Sequence, residues 1–260
     1  MAKANGIQAH KVFKLGKAPA KKDERNLRFA SLLKMAAPKL PSSYDFDTTH
    51  KGIPTPMFAN DVHGDCVMAG RAHQTLRFED IEQGSVMMVT DKDVLREYFK
   101  ETGGADSGLV VLDSLNEWRQ QGWKVGTRNY KIRAFAQVNS MNRQEVRQAI
   151  FGDVGVGLGV QLPLSAQHEI QTGQPWATTT GPGSKPGSWG GHYVYVSGYT
   201  PSGPVCVTWG RKQQMTWAWF QKYCDEAYAM FDAKDSFKKT LIDKNKITSF
   251  LKSLDRKSVV

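Results

Sequence analysis

The 260-residue sequence lacks the features that mark several large classes of protein. No apolar run approaches the roughly 20 residues of a membrane-spanning helix, and residues 1–16 lack the apolar core of a secretory signal peptide. The chain has three cysteines, at positions 66, 206 and 224, and so low and odd a number does not describe a disulfide framework. We therefore expect free thiols, and a protein that is cytoplasmic or assembled into a particle.

Sequence patterns for metal and nucleotide binding are also missing. Neither the CxxC nor the HExxH spacing occurs, so no metal site is predicted. The glycine loop at 103–108 lacks the lysine and the preceding strand of a phosphate-binding loop. We expect no cofactor.

The net charge of +10 is concentrated at the two ends of the chain. Residues 1–40 contain ten Lys or Arg and two acidic residues, and residues 233–260 contain eight and three. Residues 41–232 are therefore mildly acidic, whereas a domain that recognises nucleic acid carries its basic patch on the folded surface. We expect no sequence-specific nucleic-acid binding. We predict a basic N-terminal arm over residues 1–40 and a basic C-terminal helix or tail over residues 233–260. They suit contact with a protein assembly or an anionic surface, or are solvated tails without a partner.

Residues 66–130 and 131–231 differ in pattern, and predict a helical lobe followed by a strand-rich lobe. In the first, Gly70 lies on a predicted helix and would let another element approach closely. In the second, apolar residues alternate in four segments that we predict to be strands: 131–138, 154–162, 192–199 and 205–209. The aromatic-rich segment 216–231 favours a helix. The prediction is an α+β protein with an antiparallel sheet or barrel and a cleft between its lobes, a common place for an active site.

Cys66 stands at the predicted start of a helix, after the turn Gly64-Asp65. The positive end of a helix dipole favours thiolate, and thiolate is the form that attacks carbonyl groups. The alternative is a small buried apolar residue, as free cysteines often are. A nucleophile also needs a base, and His192 is distinctive because it opens a predicted strand directly after Gly191. A purely structural histidine is the alternative for His192.

The order and spacing of several motifs resemble the papain-like cysteine peptidases. Asn60 falls where that family usually has a glutamine, four residues after the Thr55-Pro56 pair, and Cys66 follows six residues later. The glycines at 103, 104 and 108 resemble the family's glycine wall. Further along, the stretches at 191–199 and 207–210 resemble the family's histidine strand and its Asn-Ser-Trp-Gly motif. The resemblance covers roughly residues 41–231, and predicts a papain-like two-lobed domain over 41–232.

This resemblance implies a hydrolase that cleaves amide bonds of a peptide or protein substrate through an acyl-enzyme. Cys66 would be the nucleophile and His192 the general base, then acid. Asn60 and the backbone N–H of Cys66 would stabilise the oxyanion, and Thr208 would orient His192. The implied substrate-binding residues are Gly103, Gly104, Gly108, Gly191 and Trp209.

The chain departs from the family pattern at the positions that support catalysis. Asn60 carries a shorter amide than glutamine, and Thr208 or Val207 stands where the family has the orienting asparagine. Loss of one oxyanion donor costs about 10²–10³ in rate. These departures support an alternative, a papain-like scaffold that serves as a structural or binding component of an assembly such as a phage particle. A further alternative makes residues 1–40 an inhibitory pro-segment, which their short length and strong positive charge disfavour.

Overall fold

The structure is a computed structural model that describes residues 13–36 and 38–257, so the outermost parts of both predicted basic ends lie outside the described residues. The helices are α1 (Phe29–Leu32), α2 (Phe46–Thr49), α3 (Cys66–Gln83), α4 (Asp91–Glu101), α5 (Val111–Gln120), α6 (Arg143–Gly152), α7 (Ser165–Thr172), α8 (Trp217–Tyr223) and α9 (Lys244–Lys257). The strands are β1 (Tyr44–Asp45), β2 (Trp123–Val125), β3 (Arg128–Tyr130), β4 (Ile132–Gln137), β5 (Val156–Leu162), β6 (Gly190–Tyr199), β7 (Pro204–Thr208), β8 (Arg211–Gln214) and β9 (Cys224–Asp232). Helices dominate up to α5 and strands dominate after it, which confirms the predicted α+β class.

The main sheet is antiparallel and runs in the order β4–β9–β5–β6–β7–β8, with β1 paired to β6. Its central strands are buried on both faces and separate two apolar cores. One core contains α3, α4 and α5, and the other contains α6, α7 and α8. Tyr193 and Val194 lie on opposite faces of β6 and belong to different cores. The sheet therefore joins the helical half to the strand-rich half.

Helix α3 is buried on all sides over its first fourteen residues. Gly70 contributes to this burial, because an ideal Cβ at that position would lie 2.5 Å from Cδ1 of Tyr193 on β6. The predicted close approach at Gly70 is thus confirmed, and Tyr193 is the side chain that makes it. This contact brings the start of α3 against the strand that carries His192.

Helix ends follow local sequence signals. Thr90 accepts a hydrogen bond from the backbone of Asp93 in a capping box at the start of α4, and Asn142 caps α6. Helix α5 ends at Gln120, two residues before Gly122, whose φ of 75° is the left-handed conformation that favours glycine. No helix in the described part of the chain has the length and apolar character needed to cross a membrane.

The segment 216–231, which favours a helix by sequence, divides into α8 and the strand β9. The helical prediction is therefore wrong for its second half. Strand β9 pairs with β4 on one side and β5 on the other, and residues 226–232 are buried throughout. A strand buried on both faces loses the alternation of apolar and polar residues, so its sequence cannot be told from a buried helix by periodicity.

Candidate active site

Cys66 is the first residue of α3 and is only 1% exposed. The backbone groups of Tyr193 and Gly16 lie close enough to its thiol to lower the thiol pKa. Because Tyr193 follows His192 directly on β6, the thiol lies beside the strand that carries the predicted base. The structure therefore places Cys66 against the strand that carries His192, and the joint catalytic role of the two residues stays a prediction.

His192 is fully buried and is held from two directions. Its Nε2 lies 2.8 Å from Oγ1 of Thr208 on the neighbouring strand β7. Its ring stacks on Trp209, with centroids 4.1 Å apart and planes inclined by 13°. The other ring nitrogen, Nδ1, is buried and has no hydrogen-bond partner. Thr208 and Trp209 thus fix the orientation of the imidazole and leave one nitrogen available for proton transfer.

Asn60 is buried close to Cys66, but both N–H donors of its amide are engaged. Nδ2 donates to the carbonyl oxygen of His63 at 3.1 Å and to Oδ1 of Asp65 at 3.0 Å. In this arrangement the side chain fixes the turn that leads into α3 and offers no free N–H to an oxyanion. The two residues before this stretch, Phe58 and Ala59, have φ values of 55° and 62°. Such conformations cost about 1–3 kcal/mol each and cluster at functional sites.

The predicted substrate-binding glycines separate into two groups. Gly108 and Gly191 lie against residues 13–18, since an ideal Cβ on either would come within 2.3 Å of a backbone oxygen of that segment. Gly103 and Gly104 lie in the turn after α4, where nothing comes within 4 Å of such a Cβ. The structure therefore places Gly108 and Gly191 against the segment 13–18 and Trp209 against His192, whereas Gly103 and Gly104 face open space and their substrate-binding role stays a prediction.

Residues 13–18, called here the cleft segment, cross the site between the two halves of the protein. On the helical side, Lys14 N–H donates to Asn60 O at 3.2 Å, and Ala18 N–H donates to Leu109 O at 2.9 Å. On the strand side, Lys17 N–H donates to Gly191 O at 3.2 Å, and the indole N–H of Trp209 donates to Lys14 O at 3.1 Å. Phe13 also stacks on Trp209, with centroids 4.7 Å apart. The cleft segment thus covers the site by contacts with both of its walls.

Gly16 is the residue of the cleft segment that lies over the nucleophile. Its backbone lies near enough to the Cys66 thiol to lower the thiol pKa, and its carbonyl oxygen accepts from Leu109 N–H at 2.8 Å. An ideal Cβ on Gly16 would lie only 1.6 Å from the carbonyl oxygen of Gly64. Since that neighbour is backbone, no side-chain rotation can make room. Only glycine fits at this point.

The covered site holds both reacting groups in their neutral forms. Burial raises the pKa of the Cys66 thiol to about 12, and hydrogen bonds from the backbone of Tyr193 and Gly16 oppose this only in part. Burial also lowers the pKa of His192 to about 3. Both shifts have desolvation as their main cause, so the occluded site holds a thiol and a neutral imidazole rather than a thiolate–imidazolium pair.

Asp65, next to the nucleophile, is expected to make stability fall with rising pH. Burial raises its pKa to about 8, although the hydrogen bond from Asn60 opposes the shift. Between the ordinary value of 3.8 and about 8, the folded state binds more protons than the unfolded state, so stability is full at low pH and is lost as pH rises through this range. We expect Asp65→Asn to reduce this loss by on the order of 3 kcal/mol. Urea denaturation at pH 4.5 and pH 8 measures it.

Asp106 provides a control of opposite sign. It is exposed, and although desolvation opposes the shift, hydrogen bonds from Tyr98 and Gly64 N–H lower its pKa. Its contribution to stability is therefore lost as pH falls. Because the charge of Asp106 is only a minor cause of the raised pKa of Asp65, Asp106→Asn should reduce the loss towards pH 8 much less than Asp65→Asn does. An Asp65→Asn protein that loses as much stability as the wild type between pH 4.5 and pH 8 would contradict the expectation.

Several residues of the site carry no recognisable signal in the sequence. Gly16 and Lys17 belong to a lysine-rich stretch without periodicity, and Glu226 lies in the segment that favours a helix. Leu109 is adjacent to a predicted glycine but is itself an ordinary apolar residue. These residues meet only through tertiary structure. Among the residues described, no group of three or more His, Cys, Asp or Glu side chains is arranged to hold a metal ion.

Several solved protein structures have a similar three-dimensional arrangement. Xylellain, a cysteine protease from Xylella fastidiosa, superposes with a TM-score of 0.63 over 87% of this chain and 99% of its own, at 15% sequence identity. The chain has the papain-like cysteine protease fold. The ragweed cysteine protease Amb a 11 in its proform matches with a TM-score of 0.55 over 80% of this chain and 70% of its own, at 13% identity. ProCathepsin B S9 from Trypanosoma congolense matches with a TM-score of 0.56 over 84% and 86%, at 11% identity.

Sequence comparison adds nothing to this likeness. No family model matches the chain, and no curated protein is detectably similar to it. The evidence for the papain-like fold is therefore the three-dimensional arrangement of the chain. At these low sequence identities, the similarity shows a shared fold and nothing more.

Proposed function

We propose that this protein is a papain-like cysteine peptidase that the cleft segment keeps latent. The observation that carries the proposal is the pairing of a cysteine at a helix start with a histidine fixed by Thr208 and Trp209. The cleft segment covers both groups and holds them neutral. Two structures with the same fold are a proform and a procathepsin, which supports the interpretation of residues 13–18 as part of an inhibitory pro-segment.

Release of the cleft segment would admit water and substrate to the thiol. The pKa of Cys66 would then move back towards its ordinary value, and that of His192 would rise. In the tautomer that suits the geometry, Nε2–H donates to Thr208 Oγ1 and Nδ1 carries the lone pair. The Cys66 thiol transfers its proton to Nδ1, and the resulting thiolate attacks the carbonyl carbon of the scissile amide.

The tetrahedral intermediate places a negative charge on the former carbonyl oxygen. The backbone N–H of Cys66 lies in the first turn of α3, where N–H groups have no partner within the helix, and it would donate to that oxygen. Asn60 would add a second donor only after giving up its bond to His63 O or Asp65 Oδ1. We therefore propose a slower peptidase than one with a preformed pair of donors.

Collapse of the intermediate breaks the carbon–nitrogen bond. The imidazolium of His192 gives its proton to the leaving amine, and the acyl group stays on the sulfur of Cys66 as a thioester. His192 then removes a proton from water, whose oxygen attacks the thioester carbonyl. A second collapse releases the carboxylic acid and returns the proton to the thiol, so no other reactant is needed.

Limited trypsin digestion of the full chain, followed by removal of trypsin, tests this proposal. Lys21 and Lys14 are exposed, whereas Lys17 is enclosed. Trypsin should therefore cut beyond the cleft segment at Lys21 or within it at Lys14, and either cut frees the segment to dissociate. We expect the treated wild type to react with a thiol-directed probe and to cleave members of a peptide library, and treated Cys66→Ala to do neither. If the treated wild type neither reacts nor cleaves, the proposal fails.

A second function is supported by the engaged amide of Asn60. The amide of Asn60 stabilises a turn and is not free to bind an oxyanion. Such a site suits a papain-like scaffold that acts as a structural or binding component of an assembly, with its basic ends contacting neighbouring molecules or an anionic surface. The same experiment separates the two functions. Treated protein that reacts with the probe but cleaves no peptide favours the scaffold, and a native particle larger than the monomer would support it further.

A further inference from the structure

Lys17 carries a positive charge into a closed pocket beside the active site. Its side chain is completely buried, with Nζ 2.9 Å from Oδ2 of Asp225 and 3.1 Å from Oε1 of Glu226. Nζ also donates to the carbonyl oxygen of Ala18 at 3.2 Å. A lysine is rarely buried to this extent unless it is paired, so the pocket compensates the charge almost entirely through two carboxylates.

The acidic groups belong to the body of the protein and not to the cleft segment. Glu226 on β9 is directly opposite Gly159 on β5, and the absence of a side chain at Gly159 leaves the space that Lys17 fills. An ideal Cβ there would lie 2.2 Å from Cε of Lys17. Gln161, also on β5, donates from Nε2 to Oδ2 of Asp225 at 2.7 Å. The pocket is therefore built by two paired strands and does not depend on the segment for its shape.

The pocket opens one residue away from the nucleophile. Gly16 packs against Gly64, two residues before Cys66, and Lys17, the next residue, donates its backbone N–H to Gly191 O beside His192. An extended peptide that crosses Cys66 must therefore pass the mouth of this pocket. Whatever side chain it presents there enters the space that Lys17 now occupies.

We propose that, once the cleft segment has left, this pocket binds a lysine or arginine side chain of the substrate. The protein is then a peptidase that selects a basic residue near the scissile bond. This inference rests on the proposed peptidase function and specifies its substrate class. The mildly acidic body of the protein, within a strongly basic chain, agrees with a site that attracts cationic peptides.

Charge explains why an uncharged side chain would be rejected. Glu226 is only 4% exposed. Burial raises its pKa and Lys17 opposes this shift, so a pocket without a cation holds an uncompensated carboxylate or one that must take up a proton, and either is unfavourable. Although burial opposes the charged form of Lys17, Glu226 and Asp225 raise its pKa, so the pocket holds the ammonium form. A leucine or norleucine of similar length would fill the volume but leave Glu226 uncompensated.

Protection of Cys66 from alkylation tests the pocket without requiring turnover. The test protein is the full chain with Gly16→Ala and Lys17→Ala, which empties the pocket. The two probes are the acetylated, amidated hexapeptide that copies residues 13–18, Phe-Lys-Leu-Gly-Lys-Ala, and the same peptide with norleucine in place of its second lysine. We expect the lysine peptide to protect Cys66 from iodoacetamide at a concentration at least tenfold lower than the norleucine peptide. In a protein that also carries Glu226→Gln, this ratio should fall towards one.

Asp225→Asn is the second variant, since Asp225 is partly exposed and its replacement threatens folding less. It should reduce the preference for lysine, though by less than Glu226→Gln. Equal protection by the two peptides, or an unchanged ratio in both variants, would overturn the inference.

The proposed function is tested separately by cleavage of a peptide library with the same unblocked protein. Lysine-selective protection without cleavage would contradict the proposed peptidase function and support the cation-binding pocket. Cleavage without a preference for basic residues would support the peptidase function and contradict the role of the pocket in substrate selection.

Discussion

Replacement of Gly16 by alanine is expected to raise the rate at which iodoacetamide alkylates Cys66 by at least about 30-fold. The methyl group of alanine would meet the carbonyl oxygen of Gly64, and the cleft segment must leave its position to avoid it. The thiol then regains contact with water. Its pKa should move from about 12 towards the ordinary value of 9.0.

The magnitude follows from the balance between thiolate fraction and nucleophilicity. A fall of three pKa units raises the thiolate fraction by about 10³. Because intrinsic nucleophilicity falls with pKa, with a coefficient of about 0.5, the net gain in rate from protonation alone is about 30-fold. Access of the reagent to a side chain that is now buried adds to this factor.

Gly183→Ala is the matched control for this measurement. An ideal Cβ at Gly183 has no neighbour closer than 3.8 Å, so the substitution should leave both the fold and the alkylation rate unchanged. Mass spectrometry identifies the modified residue, and Cys206, which is fully buried, should stay unmodified in every variant. A Gly16→Ala protein that is alkylated at the wild-type rate would show that the cleft segment does not control access to Cys66.

Replacement of Thr208 by valine, in the Gly16→Ala background, is expected to lower kcat/KM for peptide cleavage by about 10²-fold. Valine has nearly the same shape, but it removes the Oγ1 that lies 2.8 Å from Nε2 of His192. The imidazole then loses the group that fixes its tautomer and orientation, and general acid–base catalysis of this kind contributes about 10²–10⁴-fold. Initial rates with a peptide found to be cleaved by the Gly16→Ala protein measure the effect.

Thr208→Ser tests whether the hydroxyl is responsible. Serine keeps the oxygen and loses only a methyl group, so this variant should retain more than a tenth of the activity of the Gly16→Ala protein. The two variants should also differ in pH profile, because only valine leaves Nε2 of His192 without a partner. Equal losses of activity for the valine and serine variants would show that the effect comes from the packing of the Thr208 side chain and not from its hydroxyl group.

The sequence was most informative where a residue type and its spacing are both dictated by chemistry. Cys66 at the start of α3, His192 on β6 and Thr208 on β7 were predicted from motif order. The structure places Oγ1 of Thr208 2.8 Å from Nε2 of His192, and Cys66 near Tyr193, the residue after His192. Trp209, which the resemblance implies is a substrate-binding residue, stacks on the ring of His192. These groups lie on regular elements whose boundaries local signals fix, so their relative positions follow once the fold is given.

The residues that cover the site were not predictable in the same way. The contacts of Gly16 join positions about 50 and 90 residues apart in sequence, Gly64 and Leu109, and a charged, glycine-containing stretch gives no sign of such contacts. The pocket for Lys17 escaped for a related reason. Asp225 and Glu226 belong to β9, whose burial on both faces removed the alternation that would have identified it as a strand.

Asn60 shows a different limit of motif reasoning. Its position in the sequence suits an oxyanion donor, whereas its amide holds His63 and Asp65 in the turn before α3. A motif fixes which side chain is near the nucleophile, but the use of each N–H depends on competing acceptors nearby. Asp65 is such an acceptor, and its closeness in sequence does not by itself indicate that it binds the amide.

The attachment of the cleft segment to the rest of the chain determines how its hold is released. A segment joined by a short linker acts at an effective concentration in the millimolar range, whatever the amount of protein in solution. Dilution therefore cannot free the site of an intact molecule, and a free peptide must exceed that concentration to compete. One cut in the chain between Ala18 and Leu27 removes this advantage, because the segment then becomes an ordinary ligand. In the intact chain these contacts keep the site covered at any protein concentration. After the cut they hold the segment only above a threshold concentration, so activity would depend both on the cut and on how far the cut protein is diluted.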